Sequence, residues 1–198
     1  MAPSRKCKAK HAIAYLLYVE LEDIKPVIWR RVWVDSGMSL HTLHHVLQAS
    51  MGWTDAHLHA FSIRGKRYAV PHPEDDPDRL PIDERKVLLG QVLEPGLFFG
   101  YVYDYEESWI HTLRVEDTKL ITEPYGAAVV DDGQGACPPE DSGGALGYQD
   151  YLDLLRDDQE SEDAQSFLPW AGKDFDPRRF DRYAVNATLL RMARNRWG

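Results

Sequence analysis

Hydrophobic and polar positions change their spacing several times along the chain, and each change marks a predicted element. Residues 15–21 and 27–34 are rich in β-branched and aromatic side chains, and a turn-like segment at 23–26 separates them. This pattern predicts two neighbouring strands. From residue 40 the apolar positions follow a helical period, at Leu40, Leu43, Leu47 and Met51. Ser39 before this stripe and Gly52 after it are typical helix-capping residues, so the sequence predicts a helix between them.

The middle of the chain predicts more strands, one short helix and two long loops. Residues 57–64 and 68–70 are predicted as a strand and its return, and 97–105 with 108–116 form the clearest hairpin pattern. A short helix is expected at 87–93. The acid-rich segment 71–84 is predicted as a solvated loop, and the Gly- and Pro-rich segment 122–147 as a long loop.

Helical periods return after Gly147 and predict helices at 148–156, 162–170 and 176–196. Asp176-Pro177 is a typical helix start. The order of elements predicts an α+β fold, with a mainly antiparallel sheet, one early helix packed on it and a C-terminal group of helices. We divide the chain into a basic N-terminal tail at 1–10, a single α+β domain at 11–177 and an Arg-rich helix at 178–198, packed on the domain or extending from it.

Charge is unevenly distributed along the chain. The 198 residues carry a net charge of −9, yet the two tails together hold ten basic side chains and one acidic side chain. The body between them is therefore strongly acidic and repels phosphate backbones, which argues against a dedicated nucleic-acid-binding domain. DNA contact through the basic tails stays open as a weak alternative.

The sequence also indicates where the protein works. The longest apolar run near the N-terminus, residues 12–19, is far shorter than the ~20 residues that span a bilayer. Acids rather than a signal-peptide cleavage site follow this run. Cys7 and Cys137 are too few for a disulfide framework. We therefore expect a cytoplasmic protein without a membrane partner.

Five of the eight histidines fall between residues 41 and 59. His41 and His45 have the i, i+4 spacing of a metal-ligand pair. Their face of the predicted helix lies away from the apolar stripe, so we expect both to be solvated. His57 and His59 share a predicted strand face with Phe61.

A further histidine lies in the predicted hairpin. His111 shares a strand face with Trp109, and Asp104 on the preceding strand is a candidate partner for a buried imidazole. Two interpretations stay open for the strand histidines. They either fix the sheet from within the core through satisfied hydrogen bonds, or they form a functional cluster with carboxylates.

The segment 133–144 combines glycines, paired prolines and acids. A P-loop is excluded because no Lys-Ser/Thr pair follows the glycines and the acids repel an anion. Pro138-Pro139 would hold Glu140 and Asp141 in fixed directions, where two carboxylates can bind a hard cation or act in acid/base catalysis. Alternatively, these acids only cap and turn the chain. Cys137 with a histidine base is a weaker candidate nucleophile.

Taken in order, several motifs resemble the Ri plasmid ORF-3-like family, also labelled insertion-element passenger TnpR-like. The resemblance extends from Tyr15 to Val185 and rests on the motifs at 26–31, 51–53, 57–61, 103–111, 135–144 and 147–148. It implies a single α+β domain, and the family's activity is unestablished. The family motif residues are Trp29, Arg30, His57, Phe61, Asp104, Trp109, His111, Glu140 and Asp141. The chain departs from the family pattern at Glu106, where the family has glycine. A serine recombinase is not indicated, because the arginines cluster in the C-terminal tail.

These observations support three hypotheses. The first is a ligand- or partner-binding module, in which Arg30 binds an anionic group of a small ligand or a protein. Its candidate binding cluster is Arg30, His57, Asp104, His111, Glu140 and Asp141, beside an aromatic wall of Trp29, Phe61 and Trp109. The second is a metal-assisted or acid/base hydrolase, with His57, His111 and Glu140 as weak candidates for a divalent metal. The third is a mobile-element accessory protein that contacts DNA through its tails. No cofactor is identified, and the catalytic residues are unknown.

Overall fold

The structure is a computed structural model that describes residues 12–122, 125–158, 160–172 and 175–195. The side chains of residues 168–170 are not described. The predicted basic tail at 1–10 and the last three residues lie outside the described ranges. Within those ranges, no helix combines the length and the hydrophobicity needed to cross a bilayer.

Within the described residues, eight strands form one sheet. Their bounds are β1 Ala12–Leu21, β2 Ile28–Asp35, β3 His59–Ile63, β4 Lys66–Ala69, β5 Ile82–Asp83, β6 Phe98–Tyr103, β7 Trp109–Ile121 and β8 Val129–Gln134. The order across the sheet is β5-β4-β3-β6-β7-β1-β2-β8, and only β4 and β5 run parallel. The helices are α1 Leu40–Met51, α2 Leu89–Val92, α3 Gly144–Asp157, α4 Glu162–Ala171 and α5 Arg182–Asn195. The predicted α+β class with its mainly antiparallel sheet is confirmed.

The early helix α1 forms as the sequence predicts. The Ser39 hydroxyl accepts a hydrogen bond from the Thr42 backbone N–H at 3.0 Å, and Gly52 ends the helix in the left-handed conformation, at φ 101°. The apolar stripe, including Leu43 and Leu47, is buried in the core. The short 3₁₀ turn Glu84–Lys86 packs against another side of α1, which the amphipathic pattern predicts to be solvated.

The predicted long loop at 122–147 contains a strand that the sequence pattern missed. β8 pairs with β2 at the edge of the sheet, and Val130 is its only fully buried residue. An edge strand pairs on one side only, so its sequence can be acidic and nearly aperiodic. α3 begins at Gly144, within the same predicted loop.

The last helix begins later than predicted. Asp176 caps a turn by accepting a hydrogen bond from the Arg178 backbone N–H at 3.0 Å. Asp181 caps α5 instead, because its carboxylate accepts from the Ala184 backbone N–H at 3.0 Å. α5 packs against β8 and α1, and the side chain of Asn186 pairs with both the N–H and the C=O of Val130. This amide covers part of the open edge of β8.

Candidate functional site

Three of the predicted residues meet where the loop before β3 approaches the β6–β7 turn and the segment before α3. His57 Nδ1 lies 3.7 Å from Asp104 Oδ2, and His57 Nε2 lies 3.6 Å from Asp141 Oδ1. We call His57, Asp104 and Asp141 the loop site. Asp104 is buried and Asp141 is exposed, so the imidazole lies between an inner and an outer carboxylate. One ligand atom from each of the three lies within 4.8 Å of the other two.

Both acids of the loop site have a left-handed backbone. Asp104 has φ 57° and Asp141 has φ 60°, a conformation that aspartate tolerates better than most residues. Asp104 Oδ1 accepts a hydrogen bond from the Glu106 backbone N–H at 2.9 Å, which leaves Oδ2 directed at His57. The other left-handed residue of this turn is Ser108, at φ 55°. Glu106 therefore needs no glycine-like backbone.

Glu140 lies next to the loop site, but its oxygens are occupied. Thr54 donates to them from its backbone N–H at 3.2 Å and from its hydroxyl at 2.5 Å, and the Tyr103 hydroxyl donates as well. Burial and the hydrogen bond to Glu140 raise the pKa of Tyr103, so the phenol keeps its proton. Trp53 Nε1 donates to the Pro138 carbonyl at 3.0 Å. Glu140 therefore anchors the segment before α3.

Arg30 has a different role from the one predicted. Its side chain is buried and donates to the backbone carbonyls of Ser50, Trp29, Gln134 and Gly135, at 2.8–2.9 Å. The Phe180 ring lies 3.9 Å from the guanidinium carbon. Burial lowers the pKa of Arg30 to about 10, so the side chain is still a cation at neutral pH. With four carbonyls bound, Arg30 has no free pair of donors for an anion; it joins β2 to the end of α1 and to the segment after β8.

His111 lies in the core, fully buried. Its Nδ1 donates to the Trp109 carbonyl at 3.0 Å, and its Nε2 has no hydrogen-bond partner among the described residues. Burial lowers the pKa of His111 to about 4, so the ring is neutral at physiological pH. The three weak metal candidates therefore do not form one site, because His111 is in the core and Glu140 is occupied.

The three residues of the predicted aromatic wall do not lie on one surface in the structure. Phe61 and Trp109 are buried in the core, whereas Trp29 lies on the opposite face of β2 from Arg30 and stacks on Tyr18. The aromatic ring next to the loop site is that of Tyr103, whose centroid lies 5.7 Å from that of His57. The Trp53 ring packs against Tyr103.

Cys137 does not have the properties of an activated nucleophile. Its thiol is free, and burial raises its pKa, although the positive charge of Arg30 acts in the opposite direction. A reactive cysteine needs a thiolate at neutral pH. The structure therefore favours an inert thiol.

A second group of titratable side chains surrounds α1. We call it the histidine cluster, and it consists of His41, His44, His45, Asp55, His59 and Glu84. Both His41 Nδ1 and His59 Nε2 lie 2.9 Å from the fully buried carboxylate of Glu84. His44 Nε2 lies 2.6 Å and His45 Nδ1 lies 3.1 Å from the carboxylate of Asp55. The Nε2 atoms of His41 and His45 are 3.2 Å apart.

Burial sets the protonation of this cluster. It lowers the pKa of His44 to about 4, and together with the nearby charge of His41 it lowers the pKa of His45. Burial alone would raise the pKa values of Asp55 and Glu84. Their hydrogen bonds from imidazoles outweigh burial, and both pKa values are lowered. At neutral pH the cluster therefore holds two carboxylates together with neutral rings at His44 and His45.

Comparison with known proteins identifies the family. A family model described as plasmid pRiA4b ORF-3-like protein matches residues 13–184. The chain belongs to the plasmid pRiA4b ORF-3-like family. The resemblance seen in its sequence motifs is therefore confirmed, while the TnpR-like label and a mobile-element role stay predictions.

Two relatives are similar to this family member, one in sequence and the other in both sequence and fold. The "Uncharacterized protein y4hQ" of Sinorhizobium fredii (strain NBRC 101917 / NGR234) is 38% identical over 179 residues, which is 89% of this chain and 88% of the relative. A crystal structure of the protein of unknown function MM3350 from Methanosarcina mazei Go1 matches with a TM-score of 0.78 and 31% identity, over 90% of this chain and 99% of that chain. The names of these relatives state no activity, so a functional argument has to start from the side chains.

One family motif, Gly143-Gly144, allows α3 to approach the β6–β7 turn. A Cβ on Gly144, at φ 69°, would lie 2.6 Å from the Glu107 carbonyl oxygen.

We expect Gly144→Ala to lower the free energy of unfolding by about 2 kcal/mol, because the strain of a left-handed alanine adds to the clash with this carbonyl. Gly65→Ala is the matched control, since Gly65 has φ 73° and open space around its Cβ. Its expected loss is about 1 kcal/mol. Urea unfolding measures both, and equal losses would contradict the clash.

The histidine cluster contains the residues that the sequence patterns missed. The prediction that His41 and His45 are solvated is wrong, because their side chains are only 26% and 20% exposed. The prediction of a solvated loop at 71–84 is wrong at Glu84, which is fully buried. A signal was present in the three histidines at positions i, i+3 and i+4 of α1, because this spacing places all three side chains on one face of the helix.

Proposed function

We propose that the protein is a ligand-binding module whose loop site binds a positively charged group, a protonated amine or a hydrated divalent cation. The charge balance carries this proposal. Among the described side chains, the ion-pair partner of both Asp104 and Asp141 is the one imidazole of His57. Even a protonated His57 offsets only one of the two carboxylates, so the site attracts a cation. Arg30 is engaged by backbone carbonyls and does not reverse this charge.

The distances support a ligand beside His57 that contacts both acids. The contacts of 3.6 and 3.7 Å between His57 and the two carboxylates exceed ordinary hydrogen-bond lengths, so these oxygens are free to accept from a ligand. Hydrogen bonds of about 2.8 Å to one tetrahedral ammonium would place two acceptor oxygens roughly 4.6 Å apart. The ligand atoms of the loop site lie within 4.8 Å of one another, which is compatible with that spacing. Tyr103 adds an aromatic surface beside the imidazole.

The proposal also concerns the cellular location of the protein and its contact with DNA. We infer a cytoplasmic protein, because Cys137 is a free thiol and the cytoplasm keeps thiols reduced. The acidic loop site has no part in DNA contact, which stays a separate prediction for the basic tails. Within α5, Arg182 donates to the Asp131 carbonyl at 2.6 Å, so this arginine is engaged with the domain.

The test follows the imidazole signals of His57 by NMR while the full chain is titrated with 1,5-diaminopentane, calcium chloride or sodium phosphate. We expect a cationic probe to shift these signals and phosphate to leave them unchanged. Asp141→Asn should weaken binding about tenfold, because it removes one charge-assisted hydrogen bond while asparagine still tolerates the left-handed backbone.

Asp78→Asn, at an exposed acid that is not part of the loop site, is the control and should bind as the wild type does. A response of His57 to phosphate would contradict the proposal, as would the lack of a response to both cations.

A further inference from the structure

The pair His41 and His45 in the histidine cluster has the arrangement of two metal ligands. One helical turn separates them, and their Nε2 atoms lie 3.2 Å apart. Two imidazole nitrogens that bind one tetrahedral ion at 2.0–2.1 Å are themselves roughly 3.3 Å apart. Both side chains are partly exposed, at 26% for His41 and 20% for His45, so the pair lies near the protein surface.

The second ring nitrogen of each histidine is bound to a carboxylate. His41 Nδ1 donates to Glu84, and His45 Nδ1 lies 3.1 Å from Asp55 Oδ2. A carboxylate behind a histidine fixes the tautomer and directs the other nitrogen, with its lone pair, towards a metal. Glu84 is fully buried, and it also accepts from His59, so its position is fixed.

Hydrogen bonds also hold His44, the histidine between the two proposed ligands in the sequence. The Tyr101 hydroxyl, which accepts from Gln48 at 3.0 Å, lies 2.8 Å from His44 Nδ1, and Asp55 lies 2.6 Å from His44 Nε2. Asp55 therefore contacts both His44 and His45, and its position is fixed from two sides.

Glu84 and Asp55 behind the two rings hold the Nε2 atoms of His41 and His45 facing each other across 3.2 Å. A cation placed between the two nitrogens contacts both of them. A divalent ion also carries the charge that offsets the two carboxylates.

We propose that His41 and His45 bind a divalent transition-metal ion of the zinc type through their Nε2 atoms, with Asp55 and Glu84 as the acids that orient the two rings. Two protein ligands leave coordination positions open for water or a substrate group. Imidazole ligands suit zinc, copper and nickel rather than calcium or magnesium. This site is independent of the loop site, with which it shares no residue.

Another group of three in the same cluster fits an ion less well. One ligand atom each of His44, Asp55 and His59 lies within 4.8 Å of the others. The rings of His44 and His59 are stacked, however, with centroids 3.4 Å apart and planes 4° apart. Lone pairs in two parallel ring planes do not converge on one ion. His44 and His59 also already face carboxylates through Nε2.

The test is a calorimetric titration of the full chain with zinc chloride. We expect about one Zn²⁺ per chain, and a loss of affinity of at least about a hundredfold in His41→Gln and in His45→Gln. Asp55→Asn should weaken binding 10–100-fold through the orientation of His45. His72→Gln, at an exposed histidine outside the cluster, is the control and should bind as the wild type does.

Imidazole ¹⁵N spectra of the wild type give a second readout that does not depend on variants folding. Zinc should move the Nε2 signals of His41 and His45 and leave that of His72 unchanged. Unmoved Nε2 signals, or zinc affinity unchanged in both histidine variants, would overturn the proposal. Loss of zinc binding only in Asp141→Asn would move the ion to the loop site, and would also overturn it.

Discussion

Replacement of Arg30 by methionine is expected to lower the free energy of unfolding by about 4 kcal/mol. The guanidinium binds four backbone carbonyls inside the protein, and each unsatisfied buried polar group costs about 1–3 kcal/mol. Methionine replaces the alkyl part of the arginine side chain but has no donor, so these carbonyls lose their hydrogen bonds to the guanidinium. Methionine carries no charge, so the variant avoids the cost of burying the guanidinium, and this offsets part of the loss. The loss in Arg30→Lys should be smaller than in Arg30→Met. The lysine ammonium keeps three donors, although it lacks the planar fork of the guanidinium.

Urea unfolding followed by circular dichroism measures this loss. The matched control is Arg31→Met, because Arg31 is the next residue of β2 and its side chain is 34% exposed. Arg31 forms a partly exposed ion pair with Glu116 at 2.6 Å, and a pair near the surface contributes about 1 kcal/mol. Similar losses in the two variants would show that the carbonyl contacts of Arg30 do not stabilise the fold.

Much of the fold could be predicted because its central elements carry strong local patterns. α1 has an apolar stripe between Ser39 and Gly52, and β6 and β7 form a hairpin whose burial alternates along the chain. The edges of the sheet were missed for a physical reason. β5 has two residues and β8 buries only Val130 fully. Neither strand therefore shows the alternation of apolar and polar residues by which a strand is recognised in a sequence.

The loop site could be predicted in part because its residues lie in turns with unusual sequence. Asp104 and Asp141 follow from the hairpin turn and the Pro-Pro segment, and the structure brings both to His57. Trp29 and Arg30 could not both face one site, because adjacent residues of a strand point to opposite faces. The contacts of Arg30 depend on the ends of α1 and β8 meeting, which no local pattern indicates.

The histidine cluster was missed because one of its two acids comes from a distant segment. Glu84 lies 43 positions after His41, in a segment whose composition indicates a solvated loop. The segment 71–84 contains six acids, and its local sequence does not indicate which of them is buried. The spacing of His41 and His45 was visible, but their shared environment depends on the turn Glu84–Lys86 packing on α1.

Acid should destabilise the protein through His111. Burial lowers the pKa of this ring from 6.5 to about 4, so the unfolded chain takes up a proton near pH 6.5 while the folded protein stays neutral until about pH 4. The unfolded state therefore binds more protons within this window, and stability falls as the pH falls through it. At 1.36 kcal/mol per pKa unit, the contribution of His111 is about 3 kcal/mol, present in full above pH 6.5.

The variant His111→Phe separates this effect from the other titrating groups. Phenylalanine keeps an aromatic ring beside Trp53 and Tyr101, and loses the hydrogen bond to Trp109 at every pH. The stability difference, wild type minus variant, should therefore be about 3 kcal/mol larger at pH 7.5 than at pH 4. His44 shifts in the same direction, but it is present in both proteins and cancels. Urea unfolding at both pH values measures the difference, with His72→Gln as the exposed control. A difference that does not change with pH would show that His111 takes up its proton equally well in the folded and unfolded states.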